Sequence, residues 1–332
     1  MALIAVVAVG VVVRHAYSRQ SGTTSAKETY DKRNLIESRE SPYNNIYVYK
    51  KGTNVSMTFG LNQKIYTESI YNTADERELP VDYTQYMTAS LIYPNKIHSI
   101  LEIGLGGGRT AWYLHRFLPD VQITAVELDP AVVELSRKYF GINDEPNIKV
   151  VSRDGRLFLA DSKEQYDVIL LDAYRGPFVP FHLLTSEFYE VVKKHLAPGG
   201  VMAQNVEPST MLFDSAVKTV ESVFQHVEVL EANGTGSVVM IGYDGPALSA
   251  ADLSSMAEKR QSLYGLRYEL PKMLKHRYEL KLDQQAHINV VNQAGQKTYE
   301  INAKAKILTD DFAPVESLKA IAQHNEKWTN LQ

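Results

Sequence analysis

The sequence predicts an α/β fold, a doubly wound, mainly parallel sheet preceded by a small antiparallel β domain. Three observations predict it. From residue 99 to residue 205, short apolar runs alternate with runs whose apolar residues recur at helical spacing, the rhythm of a parallel sheet with crossover helices. The first of these runs, Ile100-Leu-Glu-Ile, passes directly into Gly104-Leu-Gly-Gly-Gly and then into a helix-like stretch, which reads as strand, tight turn, helix. Ahead of that rhythm, Asn45-Ile-Tyr-Val-Tyr-Lys and Val55-Ser-Met-Thr-Phe alternate around Lys51-Gly-Thr-Asn, as two half-buried hairpin strands do.

Taken in order, residues 1–32 are an apolar N-terminal segment and a linker. Ala2–Val13 carries no charge but is shorter than the ~20 residues of a membrane-spanning helix. Arg14 and Arg19 follow the apolar run instead of preceding it, unlike a secretory signal. Its readings are the stub of a longer membrane segment, a weak anchor, or a misassigned start. The first two place the rest of the chain at the cytoplasmic face of the inner membrane, and the third in the cytoplasm. Residues 33–75 are the small β domain, with a further strand over Leu61–Tyr66. Residues 76–250 form the nucleoside-binding domain. A helix starts near Val81, after Pro80. Strands follow at Ser99–Ile103, Val121–Val126, Asn147–Ser152, Tyr166–Leu171 and Val201–Asn205, with helices from Thr110 and over Ala131–Tyr139. Residues 251–332 are an extension, helical and basic over Ser254–Lys281, with a hairpin around Gly295.

Composition narrows the function. The chain has 332 residues, 44% of them hydrophobic, enough for a proper core. A formal charge of −4 and the lack of a basic run argue against a nucleic-acid partner. With no cysteine there is no thiolate nucleophile, no disulfide framework and no cysteine metal site. His182 and His195 lack the spacing of a metal pair and read as structural, so no metal is expected.

In a doubly wound sheet the ligand lies beyond the carboxyl ends of the strands. Those ends carry the glycine loop, Glu127, Asp154-Gly155 and Asp172. Gly104, Gly106 and Gly108 let the backbone turn sharply and a ligand approach, and the following helix start offers free N–H groups. Glu127 lies 23 residues after Gly104, where an acid takes ribose hydroxyls in a βαβ nucleotide site. A dinucleotide fingerprint would want Gly or Ala where Arg109 stands. Asp154 either meets an adenine amino group or caps a helix. Asp172 is either a base near the reacting atoms or a solvated loop acid.

At these residues the chain resembles the spermidine synthase family, aminopropyltransferases built on a class I S-adenosylmethionine-dependent methyltransferase fold, in its bacterial and partly membrane-linked branch. The likeness spans roughly Ser41–Pro208. It rests on Ile100–Gly108, Ala125-Val-Glu-Leu-Asp-Pro, Asp154-Gly155, Tyr166–Pro177, Phe188-Tyr and Leu196-Ala-Pro-Gly-Gly. The resemblance implies a role in polyamine biosynthesis, a homodimer, and a small amine or amino-acid-like substrate. It gives Glu127 to the ribose of decarboxylated S-adenosylmethionine or methylthioadenosine, Asp154 to the adenine, and deprotonation of the attacking amine to Asp172. Gln85, in Thr84-Gln-Tyr-Met, matches a segment bordering the family's active site, and Asn44 matches the glutamine of Ser-x-Tyr-Gln. Tyr174, Arg175 and Glu207 complete the set on the substrate side.

Two departures bear on the substrate. The family's glycine loop carries an Asp that holds the aminopropyl end of the donor, and here that slot is Gly107. The second acid of the family's catalytic motif is Arg175, in Asp172-Ala-Tyr-Arg-Gly-Pro, which either repels a diamine and suits a carboxylate or pairs with a loop acid away from the substrate. Asp310 and Asp311 either replace that acid or form a turn and helix cap before Pro314. The expected activity is therefore aminopropyl-type transfer from decarboxylated or intact S-adenosylmethionine, releasing methylthioadenosine. The alternatives are a lyase or cyclase that needs no acceptor, methyl transfer, and an inactive nucleoside-binding module.

Overall fold

The computed structural model of the protein describes residues 30–312, apart from 62–63, 233–236, 284–289 and 294–295. The Ala2–Val13 segment and Gly295 lie outside the described residues. Among the described residues no helix is long and apolar enough to cross a membrane.

Strands β1 (Leu35–Glu40), β2 (Asn45–Lys51), β3 (Asn54–Leu61) and β4 (Lys64–Asn72) pair antiparallel in sequence order as a four-stranded sheet. Alternation gives this sheet one apolar face, with Ile46, Val48, Val55, Met57 and Phe59 buried. A short helix α1 (Asp82–Met87) leads into the larger unit. There β5 (Ser99–Ile103), α2 (Arg109–Phe117), β6 (Gln122–Glu127), α3 (Pro130–Tyr139), β7 (Ile148–Ser152), α4 (Gly155–Asp161), β8 (Tyr166–Leu171), α5 (Ser186–Lys194) and β9 (Leu196–Val206) alternate. Helix α6 (Phe213–Val223), strands β10 (His226–Glu231) and β11 (Val238–Tyr243), and helices α7 (Ala250–Tyr264) and α8 (Leu270–Met273) follow. Strands β12 (Arg277–Asp283), β13 (Val290–Gln293) and β14 (Gln296–Asn302) come last.

The large sheet runs β13-β14-β12-β10-β11-β9-β8-β5-β6-β7. Its core, β9-β8-β5-β6-β7, is parallel throughout, and β11 joins β9 antiparallel. Parallel strands are apolar on both faces because helices cover both. Ile100, Ile123, Val168 and Val201 pack under α2 and α7, while Leu101, Ile169 and Met202 pack under α4, α5 and α6. Each such side chain contributes about 1.5–3 kcal/mol by leaving water. Helix α3 bridges the two sheets, its Val133 packing against the core beneath α2. Its Val132 and Leu135 pack with Phe140 against the apolar face of the small sheet and tie the two sheets together. The chain leaves β5 toward β6 on one side and reaches β8 on the other, so the strand order reverses at β5 and opens a crevice at the carboxyl ends.

The region after Ser254 differs from its expected helical reading. The helix ends at Tyr264, with Gly265 at φ 58° as its left-handed cap, and Arg277–Asp283 is strand. The reason is the open edge of β10. β12 pairs with it, Arg277 meets Glu228 at 2.8 Å, and the Tyr278 hydroxyl donates to Glu231 at 2.6 Å. β13 and β14 pair antiparallel, as a hairpin there requires.

Candidate active site

A cavity of about 400 Å³ opens at the carboxyl ends of β5, β6 and β8, within the size range of small-ligand sites. The glycine loop forms its floor. Gly104 has φ 94°, and its N–H donates to the Val126 carbonyl at 2.8 Å. A Cβ on it would lie 2.3 Å from the Asp172 carbonyl oxygen, so only glycine lets the end of β5 press against the end of β8. Gly106 also lines the cavity. Behind the loop stands β4: a Cβ on Gly107 would meet Ser69 Oγ and the Phe140 ring at 2.6 Å.

Glu127 ends β6 inside the cavity and braces the loop. Its Oε2 accepts the Leu105 N–H and its Oε1 the Asp129 N–H, both at 2.9 Å. Burial raises its carboxyl above the usual range, and those N–H bonds oppose the rise. Asp129 caps α3 by accepting the Ala131 N–H at 2.9 Å, and it also accepts the Ser41 hydroxyl at 2.5 Å. Asn44, 3.5 Å from the same carboxylate, is thereby carried onto the cavity wall from the small sheet.

Asp154 has both roles open to it. Its Oδ1 accepts the Leu157 N–H at 2.9 Å as the cap of α4, while Oδ2 lies 3.4 Å from His182 Nε2 on the cavity wall. Gly155 lets α4 start flush against the sheet, since a Cβ there would sit 2.3 Å from Ile103.

Asp172 follows β8, and its own N–H is held by the Ile103 carbonyl at 2.8 Å. Its Oδ1 accepts the Asn205 amide at 3.0 Å, and the Tyr83 hydroxyl is a second hydrogen-bonding neighbour. Burial disfavours the anion and, against those two hydrogen bonds, pushes the carboxyl up to about 7. A carboxylate poised there suits proton abstraction near neutral pH. The Tyr174 hydroxyl donates to the Asn205 carbonyl at 2.9 Å, which secures the same corner. Arg175 opens a tight turn through Gly176 (φ 61°), closed by Arg175 N–H to Phe178 carbonyl at 2.8 Å. Its side chain is exposed on the cavity rim and makes no ion pair among the described residues. No group of three or more His, Asp or Glu able to hold a metal occurs among the described residues.

Residues 83–237 match the spermine/spermidine synthase domain, which takes in β5 through β10 and with them most of this cavity. Over those residues the chain is similar to the spermine/spermidine synthase family. It is 30% identical over 292 residues to a probable polyamine aminopropyl transferase of Bifidobacterium longum, covering 86% of this chain and 62% of that one. It is 27% identical over 295 residues to the polyamine aminopropyltransferase of Vibrio vulnificus, covering 86% and 91%. The chain thus spans less than two thirds of the Bifidobacterium protein and most of the Vibrio one. Among solved structures, a probable spermidine synthase from Corynebacterium glutamicum shares the fold, with a TM-score of 0.62 at 19% identity, covering 84% of this chain and 98% of that one.

Three residues expected in the site stand outside its cavity. Gln85 turns its amide to the Leu79 carbonyl at 2.7 Å, and Tyr83 is the residue of that helix that faces the cavity. Gly108 (φ 68°) turns the chain into α2 against Ile142 and does not reach the cavity wall. Glu207 lies beyond Tyr174, where its Oε1 accepts the Ser209 N–H at 3.1 Å. Asp310 does not replace the missing acid, because it pairs with Arg156 at 2.6 Å and accepts the Thr185 hydroxyl at 2.8 Å. His182, read as structural, stands on the cavity wall beside Asp154, whereas His195 is buried between the Val191 and Ser162 carbonyls. The sequence reading missed Glu68 and Tyr83. Glu68 sits in an alternating strand, where a lone acid reads as solvent-facing. Tyr83 was within reach, two positions before the glutamine chosen.

Proposed function

We propose that this protein transfers an aminopropyl group from decarboxylated S-adenosylmethionine to an amine and releases methylthioadenosine. The observation that carries the reading is Asp172, a buried carboxylate held near neutrality at the end of β8, against the glycine loop and in one cavity with Glu127 and Asp154. Glu127 has lone pairs left on both oxygens for the two ribose hydroxyls, and Asp154 with His182 borders the adenine side. Asp172 takes a proton from the incoming ammonium. The freed amine attacks the carbon beside the sulfonium, the C–N bond forms as the C–S bond breaks, and the bonding pair leaves with sulfur as a neutral thioether. Orientation and one proton transfer are all that this chemistry asks of the protein.

Arg175 shapes the acceptor. A diamine needs an acid for its remote ammonium, and an exposed guanidinium on the rim offers the opposite charge. The acceptor in this reading carries one amine, or an amine and a carboxylate. The test follows methylthioadenosine release from decarboxylated S-adenosylmethionine with and without an aliphatic monoamine, a diamine or an amino acid. Release that depends on a monoamine or amino acid supports the proposal. Release without any amine favours a lyase or cyclase, and tight methylthioadenosine binding with no release under any acceptor favours an inactive module.

A further inference from the structure

Five acids line the one cavity, and three of them, Glu68, Glu127 and Asp172, are close enough to act on one another's charge. Backbone N–H groups serve Glu127, and Asn205 and Tyr83 serve Asp172. Glu68 has no such partner: its Oε1 is closed off from water and accepts no hydrogen bond among the described residues. A buried acceptor left unmade costs stability that a bound donor recovers. The neighbouring acids add to that cost, since burial together with the charges of Asp172 and Glu127 pushes the Glu68 carboxyl well above its ordinary range. Among the described cavity-lining residues Arg175 is the single lysine or arginine, and it stands at the exposed rim. What the inner end of the cavity lacks is a cation with hydrogens to donate.

The position of Glu68 fits the loop's departure from the family pattern. β4 backs the glycine loop so closely that a Cβ on Gly106 would lie 3.8 Å from the Glu68 carbonyl oxygen and one on Gly107 would strike Ser69 Oγ at 2.6 Å. An acid at Gly107 has no room, and the strand that fills the room brings its own acid one residue earlier. Resting on the aminopropyl-transfer reading, the geometry points to Glu68 as the specificity-determining residue that receives the cationic aminopropyl end of the donor and selects the decarboxylated form. The ammonium of that donor brings three N–H groups and a positive charge to a trio of acids. Intact S-adenosylmethionine brings a carboxylate to the same place and meets like charge.

The experiment measures by calorimetry the affinity of decarboxylated S-adenosylmethionine, intact S-adenosylmethionine and methylthioadenosine for the full chain and for Glu68→Gln and Glu68→Asp. Methylthioadenosine lacks the aminopropyl group and reports an intact nucleoside site. The expected result is a wild-type preference for the decarboxylated donor, reduced by about tenfold or more in Glu68→Gln, the worth of one charge-assisted hydrogen bond. Methylthioadenosine affinity stays within about twofold in both variants, and Glu68→Asp, which keeps the charge, recovers part of the lost discrimination. Equal losses for donor and methylthioadenosine, or no loss for either in Glu68→Gln, overturn the assignment while leaving aminopropyl transfer in place. A wild-type chain that prefers the intact donor, or binds none of the three, overturns the aminopropyl reading and the Glu68 assignment with it.

Discussion

Asp172→Asn should abolish turnover and at the same time stabilise the chain above neutral pH. The substitution keeps the shape of the side chain and removes its charge. In the folded chain the carboxyl titrates at about 7 instead of its ordinary 3.8, so the folded state holds the proton more tightly than the unfolded one. The stability linked to this group is therefore full below about pH 4 and is lost as pH rises to about 7. At about 1.36 kcal/mol per pH unit the whole loss is about 4 kcal/mol, and about 3 kcal/mol of it falls between about pH 5 and pH 8. The Asn variant has no charge to bury and escapes the loss. An amide at 172 also offers a donor to Asn205 Oδ1, which is buried and has no hydrogen-bond partner among the described residues. Urea unfolding of both proteins at the two pH values measures the difference. The account predicts that the variant gains about 3 kcal/mol on the wild type as pH rises, with turnover down by about 10²–10⁴-fold and methylthioadenosine affinity nearly unchanged. A stability difference that does not change with pH would refute the reasoning about burial, and retained turnover would refute Asp172 as the base.

Other consequences are checked more briefly. With saturating donor, the rate should rise with pH through about 7 to a plateau, because only the ionised Asp172 accepts the proton; a flat profile across neutrality argues for another base. Gly104→Ala should cost about 3 kcal/mol or more in thermal unfolding and lose methylthioadenosine binding, since φ 94° and a 2.3 Å approach to the Asp172 carbonyl both forbid a Cβ. Arg175→Asp should raise kcat/KM for a linear diamine by about tenfold or more while leaving a monoamine unchanged, and equal effects on both would show that the rim does not read the acceptor's far end. Gln85→Ala should lose about 1 kcal/mol of stability with the tyrosine-lined cavity intact, so donor affinity should hold.

The parts of the site that were legible in the sequence are those tied to strand ends. Gly104, Glu127, Asp154 and Asp172 each follow an apolar run, and a parallel sheet necessarily brings those points to one crevice. The parts that were not legible depend on packing between units far apart in sequence. Glu68 reaches the glycine loop because α3 packs on the small sheet and Arg109 stacks on Tyr71 of β4, and nothing in Lys64-Ile-Tyr-Thr-Glu-Ser-Ile announces that contact. Gln85 stands outside the cavity for a different reason. Two residues on a helix are about 200° apart, so with Tyr83 facing the cavity Gln85 faces away from it. Gly107 shows how a sequence departure changes meaning in three dimensions. Read alone it is a missing acid, and in the fold it is the gap that admits β4 and Glu68. Arg277–Lys281 reads as helix by composition and is strand because β10 offers an unpaired edge.

Mass spectrometry of the products separates aminopropyl transfer from every other use of the donor. Decarboxylated and intact S-adenosylmethionine are each incubated with the full chain, with and without a mixture of aliphatic amines and amino acids. The expected products are methylthioadenosine and an aminopropylated amine in equal amounts, from the decarboxylated donor and only when an amine is present. S-adenosylhomocysteine among the products, or methylthioadenosine formed without an amine, would contradict aminopropyl transfer.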